Sequence, residues 1–374
     1  VILLLHNRYR VTGGEERAVD DLRRLVTDEL GEPVELLGRD SATLGSGRAA
    51  AALLRGGTAP EDVAAAVRRT GARVLHAHNI HPAFGWRALA AAGEAGARVI
   101  LHLHNYRLVC AVGTCFTHGE DCTRCHGRNT LPGVRLNCRG GLPEAAVYAA
   151  ALARQQPNIA EAVDAFAVPS GFALTRLEEL GAPLGGRARV VASVQRRFAE
   201  RSQAEGGRYA LVAARLTPEK GVEDAITACA EAGLPLVVAG DGPDATRLRA
   251  LATASGGDIT FTGQVAPERL DELRAQAGLA IVPSRYAEIF PLAAAESMSA
   301  GLPTIAYATG GLKEFVPEPE LVPLGDVAEL AARARDRFGD TAAGERALAA
   351  ARARTAPEVV AAQLRALYDG APAP

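Results

Sequence analysis

The chain has 374 residues, more than one hydrophobic core usually organises, so two domains are expected. Its 48% hydrophobic and 22% charged residues exclude a disordered polymer, and a formal net charge of −2 excludes a global field that would recruit nucleic acid or anionic membrane. No apolar run reaches the ~20 residues of a membrane span, and the opening VILLL gives way to His6-Asn7, too short for a signal-peptide core, so the chain reads as cytoplasmic.

Short apolar runs rich in β-formers alternate with helical stretches, the pattern of an α/β fold with parallel sheets. Residues 1–5 read as a buried strand, followed by a Gly13-Gly14 turn and a helix over 15–30 with Val19, Leu22, Leu25 and Val26 on one face. Strands are predicted at 34–37, 73–76, 99–102, 165–168 and 189–191, with helices at 60–69, 83–95 and 171–180. The charged segment 195–207, with Gly206-Gly207 and no apolar periodicity, is the linker candidate. A second series follows, with strands at 209–213, 234–239, 259–261, 279–282 and 304–306 and helices at 221–231, 245–254, 267–276 and 291–300. The Ala/Arg-rich tail 329–367 reads as helical. Two Rossmann-like doubly wound domains are therefore expected, 1–194 and 208–355, with 356–374 as a terminal helix and tail.

Chemistry-bearing residues cluster at the predicted carboxyl ends of the second series. Arg215-Leu-Thr-Pro-Glu-Lys220-Gly221 follows strand 209–213, and its two cations can reach one diphosphate. Lys220 is one of only two lysines in an Arg-dominated chain, the other being Lys313, which marks it as a place where a compact ammonium is wanted. Glu288-Ile289-Phe290-Pro291-Leu292 follows strand 279–282; Pro291 suits a first helical turn, whose N–H groups make an anion site. A carboxylate at position 288 repels phosphate and favours hydroxyl donors. Glu296, a turn and a half into that helix, would be costly in an apolar helix without a partner, and a ribose hydroxyl is the expected one. Gly240-Asp-Gly242-Pro and Gly263-Gln-Val265 read as further crevice turns, Val265 where backbone groups could read a nucleobase, and Gly310-Gly311 with Glu314 as another loop.

R-L-x-x-E-K-G, G-D-G-P, F-T-G-x-V, E-x7-E leading into S-M-S-A-G-L-P, and T-G-G-x-x-E occur in this order. The chain thereby resembles the retaining glycosyltransferases of family GT4, which have the GT-B architecture of two Rossmann-like domains facing across a cleft. The resemblance implies that Arg215 and Lys220 bind a donor diphosphate, that Glu288 holds donor-sugar hydroxyls and Glu296 the ribose, and that the last helix returns to the first domain. It implies further that the Gly13-Gly14 loop faces the donor phosphates and that His104, in His-Leu-His-Asn-Tyr, contacts the donor sugar near the reacting carbon. Family members are thought to use front-face attack, in which the leaving phosphate takes the acceptor's proton and no catalytic metal is required. His76 and His78 end an earlier strand and read as structural or acceptor-lining. The implied partners are a nucleoside-diphosphate sugar and a hydroxyl-bearing acceptor, with peripheral membrane contact if that acceptor is lipid-linked.

Five cysteines crowd residues 106–141. Cys122 and Cys125 have CxxC spacing, flanked by Cys110 and Cys138, and a four-thiolate structural zinc could order a long loop. A disulfide and unligated thiols are the competing readings. GT4 enzymes of surface-polysaccharide pathways look similar here, which implies that the loop shapes the acceptor pocket. One departure is Ala192-Ser-Val-Gln195, where many relatives carry an Asn-Gly turn. An epimerase or phosphorylase on the same architecture, or a non-catalytic nucleotide-sugar-binding or metal-sensing protein, remains an alternative. Neither half shows G-x-G-x-x-G directly after a strand, which argues against a dehydrogenase.

Overall fold

The computed structural model describes residues 1–8 and 14–370. The chain divides into two compact units, one formed by 1–115, 122–194 and the segment from 357 onward, the other by 116–121 and 195–356. Gly13 lies outside the described residues.

In the first unit the strands are β1 (Ile2–Arg8), β2 (Val34–Asp40), β3 (Val74–Ala77) and β4 (Arg98–His102). Its series continues with β7 (Ala165–Val168) and β8 (Ala188–Val190); between β4 and β7 in the chain lies a two-stranded antiparallel hairpin, β5 (Phe116–Thr117) and β6 (Glu120–Asp121), which groups with the second unit. The six-stranded sheet has the order β2-β1-β3-β4-β7-β8, and its pairings are parallel. Strand β1 is apolar over Ile2–Leu5 because it is buried on both faces, as central strands of a parallel sheet are. The helix Gly14–Leu30 buries the predicted stripe of Val19, Leu22, Leu25 and Val26.

Three helical features depart from the expected pattern. The helix Leu142–Ala162 carries Pro157 in its interior, which reads locally as a break; burial of Ala145, Tyr148, Leu152 and Ile159 along one face outweighs that penalty. The helix Ser46–Arg55 buries only Ala52 and lies outside the predicted elements. The tail is three helices, Val327–Arg337, Thr341–Thr355 and Pro357–Tyr368. Gly339 takes φ +77° at the first break, and Asp340 caps the next helix by accepting from the Ala343 N–H.

The last of these helices belongs to the first unit. Tyr368 bonds His76, Asp369 pairs with Arg73, and Gln363 accepts from the N–H of Ala192. The Ala192–Gln195 departure thus has its own hydrogen-bonding scheme, with the Gln195 N–H donating to the Thr355 carbonyl at 2.9 Å. Segment 195–207 is not a loose linker either. Ala199 donates to the Ser299 carbonyl at 2.8 Å, and Gly207 lies so close to Gly278 that a Cβ would overlap it.

The second unit contains β9 (Tyr209–Ala213), β10 (Leu236–Ala239), β11 (Ile259–Gly263), β12 (Ala277–Val282), β13 (Thr304–Tyr307) and β14 (Leu321–Val322). The order is β11-β10-β9-β12-β13-β14, again with parallel pairings. Counted within the unit this is 3-2-1-4-5-6, the doubly wound order whose direction reverses between β9 and β12. Loops leaving the carboxyl ends of those two strands diverge and leave a crevice there, so the topology alone selects where a ligand site falls.

Candidate functional site

Both principal sequence motifs of the second unit leave that switch point. After β9 the chain runs through Arg215 into a 3₁₀ turn, Pro218–Lys220, and then the helix Val222–Ala232. After β12 it runs through Ser284, Tyr286 and Glu288 to the helix Leu292–Ser299. The Arg285 N–H donates to the Glu219 carbonyl at 2.9 Å, which ties the two loops together.

Lys220 and Glu288 meet directly. The Lys220 ammonium donates to Glu288 Oε1 at 2.7 Å and to the Tyr286 hydroxyl at 3.5 Å, and it sits 4.8 Å from the Tyr286 ring centre. The Ser284 hydroxyl donates to the same Oε1. Glu288 is only 3% exposed, whereas 22% of the Lys220 side chain stays open. Burial works against the Lys220 charge, but the Glu288 carboxylate and the Tyr286 oxygen outweigh it and hold the ammonium above its ordinary pKa. Tyr286 is pushed up to about 12 by burial and by the neighbouring carboxylate. The result is a charged pair at a crevice mouth, with the carboxylate fixed by two donors and the ammonium reachable. Arg215 is exposed on the same loop and makes no ion pair among the described residues.

Backbone packing fixes Glu288 as tightly as its side-chain partners do. The Gly311 N–H donates to the Glu288 carbonyl at 2.8 Å, and Gly310, at φ +54°, lies where a Cβ would come within 2.5 Å of the Glu288 nitrogen. Gly242 similarly abuts the Leu216 carbonyl, where a Cβ would stand 2.3 Å away, so the G-D-G-P turn packs against the Arg215 loop. Val265 is half-buried against the apolar cluster of β9, β10 and β12. Ile289 and Phe290 are half-buried, and the Phe290 ring meets Phe315 edge-on at 5.4 Å. Pro291 occupies the cap position instead of the first helical turn, and the Leu292 N–H is used by the Phe290 carbonyl. The anion-binding amides expected at 290–293 are therefore fewer than the spacing suggested.

Glu296 has a protein partner that its local sequence does not announce. Its carboxylate is engaged by Arg274, which is 3% exposed and also pairs with Asp271 at 3.1 Å. A buried carboxylate needs a partner, and here a guanidinium 22 residues earlier supplies it, on the neighbouring helix Pro267–Ala275. The ribose contact expected for Glu296 must compete with that pair. A second network escaped the sequence reading: Asp224 accepts from Arg285 at 2.6 and 3.0 Å and from the Tyr307 hydroxyl at 3.0 Å. It braces the start of the helix after Lys220 against the Glu288 loop and β13. Nothing but long-range pairing announces it.

In the first unit His104 follows β4, with Nε2 2.7 Å from His78 Nδ1. Burial, and then the neighbouring His102 and His6, hold its pKa well below the ordinary value. Gly14, exposed, opens the first helix. None of the cysteines is in a disulfide, and among the described residues the one group of three closely spaced metal-type donors is His76, His78 and His102. Cys125 lies near enough to Cys110 and Cys122 that their charges add to burial in raising its pKa. Local turns order the segment, including Cys110 N–H to the Tyr106 carbonyl, Cys122 N–H to the Cys115 carbonyl and Cys138 N–H to the Gly133 carbonyl. A hydrogen bond from Cys115, acting against burial, lowers the Cys110 thiol to about 6.

Two doubly wound parallel units, with a charged site at the switch point of the second, form the GT-B architecture. Residues 194–354, most of the second unit, match the family described as glycosyl transferases group 1. An exopolysaccharide phosphotransferase of Streptomyces coelicolor is 34% identical over 193 residues, 49% of this chain and 20% of the relative. A glycogen synthase of Mycobacterium tuberculosis is 35% identical over 171 residues, 42% of this chain and 40% of the relative. The matched stretches thus span a fifth and two fifths of these relatives. HepE of Anabaena, solved in complex with UDP, superposes with a TM-score of 0.66 at 17% identity over 99% of both chains. That likeness is one of fold. Among the described residues no helix is long and apolar enough to cross a membrane.

Proposed function

We propose that the protein is a retaining glycosyltransferase that moves a sugar from a nucleoside-diphosphate donor to a hydroxyl acceptor. The observation that carries this reading is the Lys220–Glu288 pair at the switch point of the second unit, beside the exposed Arg215. A buried carboxylate already accepting from a hydroxyl and an ammonium suits sugar hydroxyls. An ammonium and a guanidinium on one loop suit the diphosphate. The crystal complexes of HepE with UDP support a uridine nucleotide as the first donor class to try.

On this reading, donor binding exchanges partners: the diphosphate takes Lys220, and Glu288 turns to the sugar. The C1–O bond to the phosphate breaks as the acceptor oxygen bonds C1 on the same face. The acceptor proton passes to the departing phosphate oxygen. Arg215 and Lys220 stabilise the charge that develops there, so the protein's contribution is positioning and electrostatics. His104 is assigned to the donor sugar by family resemblance.

The test is transfer itself: UDP- and GDP-sugars incubated with glycan, lipid-linked and small-molecule hydroxyl acceptors, following nucleotide release and the anomeric configuration of the product. Acceptor-dependent nucleotide release with a retained anomer supports the reading. An inverted product would overturn the mechanism, and epimerised donor without transfer would favour an epimerase.

A further inference from the structure

The first unit has its own switch point. Its order β2-β1-β3-β4-β7-β8 reverses between β1 and β3, and there the strand ends carry histidines in register. Leu4 pairs with His76 and Leu5 with Ala77 between β1 and β3, while His76 pairs with Ile100 and Ala77 with Leu101 between β3 and β4. One residue further, the same registers align His6, His78 and His102 side by side across three strands. His76, two residues before His78, and His104, two residues after His102, share that face by the period of a strand.

These imidazoles are packed on one another. His76, His78 and His102 have ring centres 4.7 to 5.4 Å apart and are buried to 5% exposure or less. Their hydrogen bonding is incomplete in a specific way. His76 spends Nδ1 on the Tyr368 hydroxyl at 2.8 Å, and His78 spends Nδ1 on His104 at 2.7 Å. Among the described residues His76 Nε2, His78 Nε2 and both ring nitrogens of His102 have no hydrogen-bond partner. Orphan polar atoms this deeply buried are costly and call for an explanation, the more so when several converge.

We propose that His76, His78 and His102 form a binding site for one divalent transition metal ion, zinc by the chemistry of its donors. One ring nitrogen from each lies within 4.8 Å of the others. Zinc takes imidazole nitrogen at about 2.0–2.1 Å, which brings donors to about 3.4 Å apart, so modest ring rotations out of the stack close the site. A metal-bound imidazole characteristically has its second nitrogen hydrogen-bonded, fixing ring orientation. Tyr368 and His104 do this for His76 and His78. A cavity of about 40 Å³ borders two of the three ligands, His78 and His102, and has room for a water in the fourth position. Because Tyr368 lies on the terminal helix Pro357–Tyr368, metal loading also bears on how that helix is held.

The site shares His104 with the sugar-transfer reading, but its test needs no donor, acceptor or turnover. The full chain is stripped with a chelator and titrated with Zn²⁺ by calorimetry, with metal content measured after gel filtration and Co²⁺ used as a spectroscopic substitute. About one zinc per chain is expected, with a rise in melting temperature on loading. The Co²⁺ protein should show visible d–d bands without intense thiolate charge transfer. His102→Gln should lose the zinc, and Cys122→Ser/Cys125→Ser should keep it. No zinc in the stripped and titrated wild type overturns the proposal. So does thiolate charge transfer, or loss of metal in the cysteine variant but not in His102→Gln. Should His102→Gln fail to fold, the wild-type titration and cobalt spectrum decide.

Discussion

Replacing Glu288 by Gln separates two roles the carboxylate plays. In the resting protein it neutralises the ammonium of Lys220 at 2.7 Å. Removing one member of a fully buried pair costs about 3–5 kcal/mol. Here Lys220 keeps 22% of its side chain exposed and retains the Tyr286 hydroxyl at 3.5 Å, so the stability loss should be about 1–2 kcal/mol. On the proposed reading the carboxylate accepts sugar hydroxyls in turnover, each charge-assisted bond contributing about 1.5–3 kcal/mol against about 0.5–1.5 for a neutral one. Two such bonds weakened to neutral ones lose about 2–3 kcal/mol and lower kcat/KM by about 10². The structure adds a signature that simple damage would not show. Lys220, released from Glu288, should bind the free nucleoside diphosphate at least as tightly as before, while the nucleotide sugar loses affinity. Urea unfolding, transfer kinetics and calorimetry with both ligands read these effects. Wild-type turnover in Glu288→Gln, or equal losses for diphosphate and nucleotide sugar, would refute the reasoning.

Other expectations follow from the same geometry. Glu296→Ala leaves the buried Arg274 with Asp271 alone and should cost about 3 kcal/mol in urea unfolding, the low end for a broken buried pair; a fully stable variant whose only defect is donor KM would contradict this and favour a ribose contact instead. Gly310→Ala forces a Cβ to 2.5 Å from the Glu288 nitrogen at a left-handed φ, so transfer should fall at least tenfold while circular dichroism stays native. Cys110 has a depressed folded pKa of about 6, so its thiolate adds stability that is present above the ordinary thiol pKa and lost as pH falls through about 6. Wild type minus Cys110→Ser should therefore show a stability difference that grows from pH about 6 to about 8.5, followed by urea midpoints; a flat difference contradicts it.

Period and punctuation made the alternating elements legible. The Val19–Val26 stripe and the apolar strands follow from burial geometry that composition records directly. The Lys220 and Glu288 loops were legible because both follow strands, and a doubly wound sheet opens at strand carboxyl ends. What was hidden depends on contacts distant in sequence. Arg274 meeting Glu296 and Asp224 bracing Arg285 leave no local pattern. The histidine row requires strand register, which no single segment contains. Leu142–Ala162 is helical despite Pro157 because tertiary burial overrides a local penalty.

The most direct test of the central claim is calorimetry of the wild-type chain and Arg215→Ala with UDP, GDP, ADP and TDP, each alone and as its sugar conjugate. The account predicts that one nucleoside diphosphate binds the wild type with a salt-sensitive affinity and that Arg215→Ala weakens it about tenfold or more. Binding of none of the four, or equal binding by both proteins, would contradict it.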